Sequence, residues 1–135
     1  MPSLPTSLPT SLPRVLVVED EVLIRMLAVD MLSEQGFEPD EAGTAAEALA
    51  KLRTPGADYS LMFLDIGLPD QRGDDLIKEV RQFRPDLPLV VASGEDIGDL
   101  RQRLGGYPPI GFLGKPYDML RLRQAIEQLT GEPAP

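Results

Sequence analysis

The chain contains no cysteine and no histidine. Without cysteine there are no disulfides and no thiol chemistry, a pattern that fits the cytoplasm. Without histidine the usual general base and the commonest zinc ligand are missing. Any chemistry must therefore rest on carboxylates, hydroxyls, and Lys or Arg. Long apolar runs are also absent, so no transmembrane helix is expected. The N-terminus has no basic region followed by an apolar core, so no secretory signal is expected. Basic residues are scarce: 13 Lys and Arg stand against 22 Asp and Glu, leaving a net charge of −9. This balance argues against direct binding to nucleic acid or to an anionic membrane. It suits a hard cation.

What is present fits one domain with a real core: 135 residues, 42% of them hydrophobic. Residues 1–13 carry a short repeat, Ser3-Leu4-Pro5-Thr6, Ser7-Leu8-Pro9-Thr10 and Ser11-Leu12-Pro13. Proline at every fourth position forbids a helix and interior sheet pairing, so a flexible, extended tail is expected. Its other reading is a docking segment. The domain itself is expected over 14–130, with 131–135 fraying.

The chain is organised around residues 61–70, Leu-Met-Phe-Leu-Asp-Ile-Gly-Leu-Pro-Asp. A short apolar run bounded by turn residues predicts a strand buried on both faces, with Asp65 where it leaves the sheet. A first such strand, 15–18, runs into Glu19-Asp20-Glu21. A helix over 22–35 then places Leu23, Met26, Leu27, Asp30 and Met31, mostly apolar, at three- and four-residue steps, and Gly36 stops it. The strand at 37–42 contains Pro39 and so must lie at an edge. Thr44 and Glu47 have capping-box spacing for a second helix to Arg53. Asp74 or Asp75 is expected to cap a third helix to Phe83. A fourth strand spans 87–92, before Ser93. A fourth helix over 95–104 is disfavoured by Gly98, at about 0.5–1 kcal/mol relative to Ala. A fifth strand spans 110–114, before Lys115, and Asp118 caps the last helix to Leu129.

Five β/α alternations predict a flavodoxin-like doubly wound α/β fold: a five-stranded parallel sheet, order 2-1-3-4-5, with five helices. Four strands then end on one rim in Glu19-Asp20, Asp65, Ser93 and Lys115. Three carboxylates in one cleft repel one another unless a cation joins them. With only oxygen ligands, Mg²⁺ is the natural ion. A metal, a Lys and a hydroxyl around a free carboxylate suit phosphoryl oxygens, with Asp65 as nucleophile. The plainer alternative is a salt-bridge cluster at the sheet rim.

At these residues the chain resembles the response-regulator receiver domains of bacterial two-component signalling, over roughly 14–130. The matching motifs are Val-Val-Glu-Asp-Glu at 17–21, Leu-Asp-Ile-Gly-Leu-Pro at 64–69 with Gly73, Ala-Ser-Gly at 92–94, and Phe-Leu-Gly-Lys-Pro at 112–116. The resemblance implies Asp65 as phosphoacceptor, with Asp20 and Asp65 as direct Mg²⁺ ligands. It implies that Glu19 acts through water and that the Gly67 carbonyl completes the protein ligands. It further implies that Ser93 and Lys115 sense the phosphate, that Phe112 takes the switch-aromatic position, and that the Lys115–Pro116 bond is cis.

The resemblance also implies a histidine kinase or histidine phosphotransfer protein as donor. The recipient would be a separate output or relay protein. The surface from Asp96 to Phe112, with the last helix, is the expected partner face, and also the surface for a transient homodimer. No output domain follows the last helix, so action through another protein is expected.

There are departures. Phe112 has no hydroxyl, Gly94 replaces the usual Ala, and Gly67 is small. The join at 105–109 is unusual. Gly67 and Gly94 leave water a path to the phosphorus, which predicts a short-lived phosphorylated state.

Two other functions compete. A phosphohydrolase of the haloacid-dehalogenase type needs a second Asp two residues past the nucleophile, where Gly67 stands. A pseudo-receiver scaffold would lack the acceptor, an acid or the Lys, and all are present.

Overall fold

The computed structural model describes residues 12–131. Most of the Ser-Leu-Pro repeat and residues 132–135 lie outside that range. The elements alternate as β1 (Arg14–Val18), α1 (Val22–Glu34), β2 (Glu38–Ala42), α2 (Ala45–Arg53), β3 (Leu61–Asp65), α3 (Gly73–Phe83), β4 (Leu89–Ser93), α4 (Ile97–Leu104), β5 (Ile110–Gly114) and α5 (Met119–Thr130). All pairings are parallel and the order is β2-β1-β3-β4-β5. This is the doubly wound sheet that the alternation predicts.

The apolar strands β1, β3 and β4 are buried on both faces because helices cover each side. On one face Leu16, Met62, Leu64 and Val91 pack against Leu49 and Leu52 of α2, Ile77 and Val80 of α3, and Leu100 and Leu104 of α4. On the other, Val15, Val17, Phe63 and Val90 pack against Ala28 and Leu32 of α1 and Leu122 and Ile126 of α5. Pro39 does sit in an edge strand.

Several local expectations hold. The Thr44 hydroxyl accepts from the Glu47 N–H at 3.1 Å, and the Glu47 carboxylate accepts from the Gly43 N–H at 2.6 Å. Asp118 caps α5 by accepting from the Arg121 N–H. Gly36 has φ 94°, a left-handed conformation that glycine adopts without a Cβ penalty.

Other expectations are corrected. Helix α1 does not bury Leu23, Met26 and Leu27; they are 75%, 53% and 59% exposed, and Ala28 and Leu32 face the core instead. Neither Asp74 nor Asp75 caps α3. That helix starts at Gly73, its N-cap is Arg72, and no side chain caps it. Strand β4 starts at Leu89 rather than Leu87, because Pro88 has no N–H for the ladder, and it extends to include Ser93. Helix α4 forms two turns, starting at Ile97 with Asp96 accepting from the Asp99 N–H. Gly98 has a reason to be there: a Cβ would lie 2.9 Å from the capping Asp96 oxygen.

Candidate functional site

The site lies where the strand order reverses. Leaving β1, the chain turns toward β2 and later β3, which opens a crevice beyond the strand ends. Asp65 ends β3 and is buried. One carboxylate oxygen accepts from the Gly67 N–H at 2.9 Å, and the other receives the Lys115 ammonium. Lys115 follows β5, and its Nζ is also 4.0 Å from Glu19. The Lys115–Pro116 bond is cis. Glu19 follows β1, is buried, and accepts from the Glu21 N–H at 3.0 Å. Ser93 is buried at the end of β4, where its hydroxyl accepts from the Glu95 N–H at 3.0 Å.

Asp65 and Glu19 titrate as a pair. Burial, and next the hydrogen bond shared with Asp65, push Glu19 up to about 8. Burial also works to raise Asp65, but hydrogen bonds from Glu19 and Lys115 outweigh it and hold Asp65 below its ordinary value. The proton of the pair therefore rests on Glu19 and the negative charge on Asp65.

The expected cluster of three carboxylates is only partly drawn together. Asp20 is exposed, and among the described residues no three acidic side chains are grouped closely enough to hold a metal ion. Asp20 nevertheless stays within side-chain hydrogen-bond reach of Glu19, and the Lys115 ammonium is the counter-charge of the buried pair. The donor set still fits Mg²⁺, because carboxylates and a backbone carbonyl are hard oxygen ligands with no imidazole or thiolate beside them. Phe112 sits lower on β5, paired in register with Val91 rather than Ser93. It packs partly buried against the cluster that includes α4.

Several supports were not legible in the sequence. The Asp70 carboxylate, from the loop after β3, accepts from the Ala45 and Ala46 N–H groups at 2.9 and 3.0 Å and so caps α2. This ties the Asp65 loop to a second helix. Asp74 is paired with Arg103 of α4 at 2.8 Å, and Arg103 also reaches Glu95 at 3.0 Å. Tyr117 tilts against Phe63, with ring centroids 5.9 Å apart. Local patterns carry no signal for such pairs, because the partners lie far apart in the chain.

Gly73 closes the Asp65 loop by donating to the Ile66 carbonyl at 3.1 Å. A Cβ there would lie 2.8 Å from that carbonyl oxygen and 2.9 Å from the Ile66 Cα. Gly73→Ala is expected to destabilise the fold by about 1–3 kcal/mol through overpacking. A thermal melt reads this directly; an unchanged midpoint would show that the loop gives way freely.

The chain matches the response regulator receiver domain over residues 15–127. It belongs to that family, whose members are the receiver units of two-component response regulators. It is 38% identical over 117 residues to the transcriptional regulatory protein PdtaR of Mycobacterium tuberculosis, covering 84% of this chain and 55% of that protein. It is 30% identical over 115 residues to the sensor kinase CckA of Brucella abortus, covering 85% of this chain and 12% of that protein. The chain thus spans about half or less of these curated relatives. The chemotaxis protein CheY of Thermotoga maritima is 28% identical over 120 residues, covering 87% of this chain and 97% of that one. Among solved structures, a receiver domain from Methanospirillum hungatei superposes with a TM-score of 0.78 at 28% identity, covering 90% of this chain and 96% of that one. The response regulator TrrA of Thermotoga maritima, solved with Mg²⁺-BeF, superposes at 0.75 with 27% identity, covering 87% and 98%.

Proposed function

We propose that Asp65 takes a phosphoryl group from a histidine kinase or a histidine phosphotransfer protein. The observation that carries this is the state of Asp65: buried, ionised, and held at both oxygens by Gly67 and Lys115. A carboxylate oxygen attacks phosphorus, the bond from phosphorus to the donor nitrogen breaks, and its electron pair leaves with the imidazole. Lys115 moves from the carboxylate to the new phosphoryl oxygens, and the Ser93 hydroxyl donates to another. Asp20, Asp65 and the Gly67 carbonyl would hold Mg²⁺ directly, and Glu19 through water. Mg²⁺ held there would supply positive charge to the phosphoryl oxygens. The reading gives the chain no catalytic role beyond its own phosphorylation and dephosphorylation, in the cytoplasm, with 14–130 as the receiver unit. Among the described residues no helix is long and apolar enough to cross a membrane.

The test is incubation with a small phosphodonor, with Mg²⁺ or with chelator. A hydroxylamine-labile phosphate that needs Mg²⁺ is expected. No acyl phosphate under any condition would leave the scaffold alternative. Release of phosphate from an external substrate, without a labelled chain, would indicate the phosphohydrolase.

The donor's docking surface follows from the exposed face of α1. Val22, Leu23, Met26 and Leu27 are more than half exposed and begin one residue after the acidic loop. Contiguous exposed apolar surface beside a reactive group suits an apolar helical partner. Leu23→Glu and Met26→Glu together are expected to slow transfer from the donor protein about tenfold or more. Labelling by a small phosphodonor should not change, since neither side chain touches the site. Equal loss of both labels would refute the docking role.

Phosphate lifetime depends on water reaching the phosphorus. Gly67 lacks a left-handed φ, and a Cβ there meets only the Asp65 oxygen, at 3.7 Å. The position therefore accepts a side chain. Glu95 is drawn toward Arg103, so it does not close the path from the other side. Gly67→Met is expected to lengthen the lifetime about fivefold, or ~1 kcal/mol on the hydrolysis barrier. Decay of labelled protein after donor removal measures it, and unchanged or faster decay would exclude water access past residue 67 as the limit. Phosphorylation then shifts α4, β5 and α5 between two arrangements that a partner or a second copy reads.

A further inference from the structure

The acidic loop between β1 and α1 is tied down by its backbone groups. The Glu19 N–H donates to the Ala42 carbonyl at 3.0 Å, and the Glu21 carbonyl accepts from the Arg25 N–H at 2.9 Å. The Glu21 N–H is taken by the Glu19 carboxylate. The Glu19 carbonyl is met by a side chain: Arg25 Nη1 donates to it at 2.8 Å. The same guanidinium gives its Nε to the Glu41 carboxylate at 2.9 Å. Arg25 thereby joins α1, the acidic loop and β2, and its side chain is only 19% exposed. Gly43 leaves room for it, since a Cβ there would lie 3.2 Å from Nη1.

An exposed Arg–Glu pair by itself stabilises a fold little. This guanidinium differs because one of its bonds goes to the peptide unit between Glu19 and Asp20. A peptide unit is planar, so a bond at its oxygen fixes the plane from which the Asp20 side chain departs. Asp20 has little else to hold it: it is exposed, and its side chain bonds only to Glu19. Reaching a carbonyl and a carboxylate at once takes the rigid fork of Arg; the ammonium of Lys is a single point of charge.

We propose that Arg25 is a positioning residue for the metal site, holding the Glu19–Asp20 peptide so that Asp20 and Asp65 can take one cation together. This role rests on the Mg²⁺ reading of Asp20 and Asp65. Charge alone would act the other way. A guanidinium repels a divalent cation, so its loss would tighten Mg²⁺ binding. Loss of the tether weakens binding instead, because a loosened loop must be ordered when the ion arrives. The direction of the change separates the two.

The test is a Mg²⁺ titration of the full-length parent, Arg25→Met and Arg25→Lys, followed by the NMR shifts of the Asp65 and Gly67 amides. Arg25→Met keeps the apolar stem and loses both fork and charge. Arg25→Lys keeps the charge and loses the fork, and it carries the test alone if Arg25→Met does not fold. Both variants are expected to bind Mg²⁺ about fivefold or more weakly than the parent. Labelling by a small phosphodonor should fall at low Mg²⁺ and return to the parent's rate at saturating Mg²⁺, because Arg25 bonds to neither Asp65, Ser93 nor Lys115. Parent-like or tighter Mg²⁺ binding in either variant would overturn the proposal. So would a labelling defect that persists at saturating Mg²⁺, which marks damage to the fold at large. A parent that binds no Mg²⁺ would remove the metal reading itself, and this role with it.

Discussion

Asp65→Asn protein will carry no aspartyl phosphate after incubation with a phosphodonor and Mg²⁺, while the parent gains one phosphoryl group. The amide is nearly isosteric, so the Gly67 N–H still has an oxygen to bind and the loop keeps its shape. The nucleophilic charge is gone, however, and so is the partner of the Lys115 ammonium. An amide oxygen is a poor nucleophile, and the product would not be a stable acyl phosphate. The expected loss is complete within detection, and mass spectrometry of the intact protein reads it. Equal labelling of variant and parent at one site would remove Asp65 from the reaction.

Asp20→Asn is expected to weaken Mg²⁺ binding at least tenfold, ~1.4 kcal/mol. Asp20 and Asp65 are the two carboxylates that would hold the cation directly, so the substitution removes one of its two direct anionic ligands. Without metal the same substitution relieves like-charge repulsion and should raise the melting point. The rise will be small, since Asp20 is exposed and solvent screens its charge. A Mg²⁺ titration and melts with and without metal test both halves. Unchanged affinity would show that the metal is held without Asp20.

Both predictions use residues that local sequence pattern marks, because each stands at the end of an apolar strand. A run such as Leu61–Asp65 marks its own burial and its own end, and alternation with helices brings those ends to one rim. Phe112 and Gly67 were legible only through motif spacing. The arrangement of the charges was not legible. The motifs place Asp20 in a cluster with Glu19 and Asp65; in the fold Lys115 pairs with Asp65, while Asp20 is exposed and keeps a side-chain hydrogen bond only to Glu19.

The sequence by itself determined the order of elements, the edge position of β2, the caps at Thr44 and Asp118, and the rim on which the polar strand ends gather. These follow from period, turn residues and backbone sterics, which act over a few residues. Tertiary structure decided which face of α1 is buried. That helix is apolar nearly all round, from Val22 through Leu32, so periodicity cannot choose; contact with β1 and β2 selects Ala28 and Leu32, leaving Leu23 and Met26 outside. It also decided that Asp74 pairs with Arg103 instead of capping its helix, and that Asp70 caps α2 rather than its own loop. These choices belong to groups 25 to 29 residues apart. Only packing fixes their distance, and a charge binds the partner that the folded chain puts within reach.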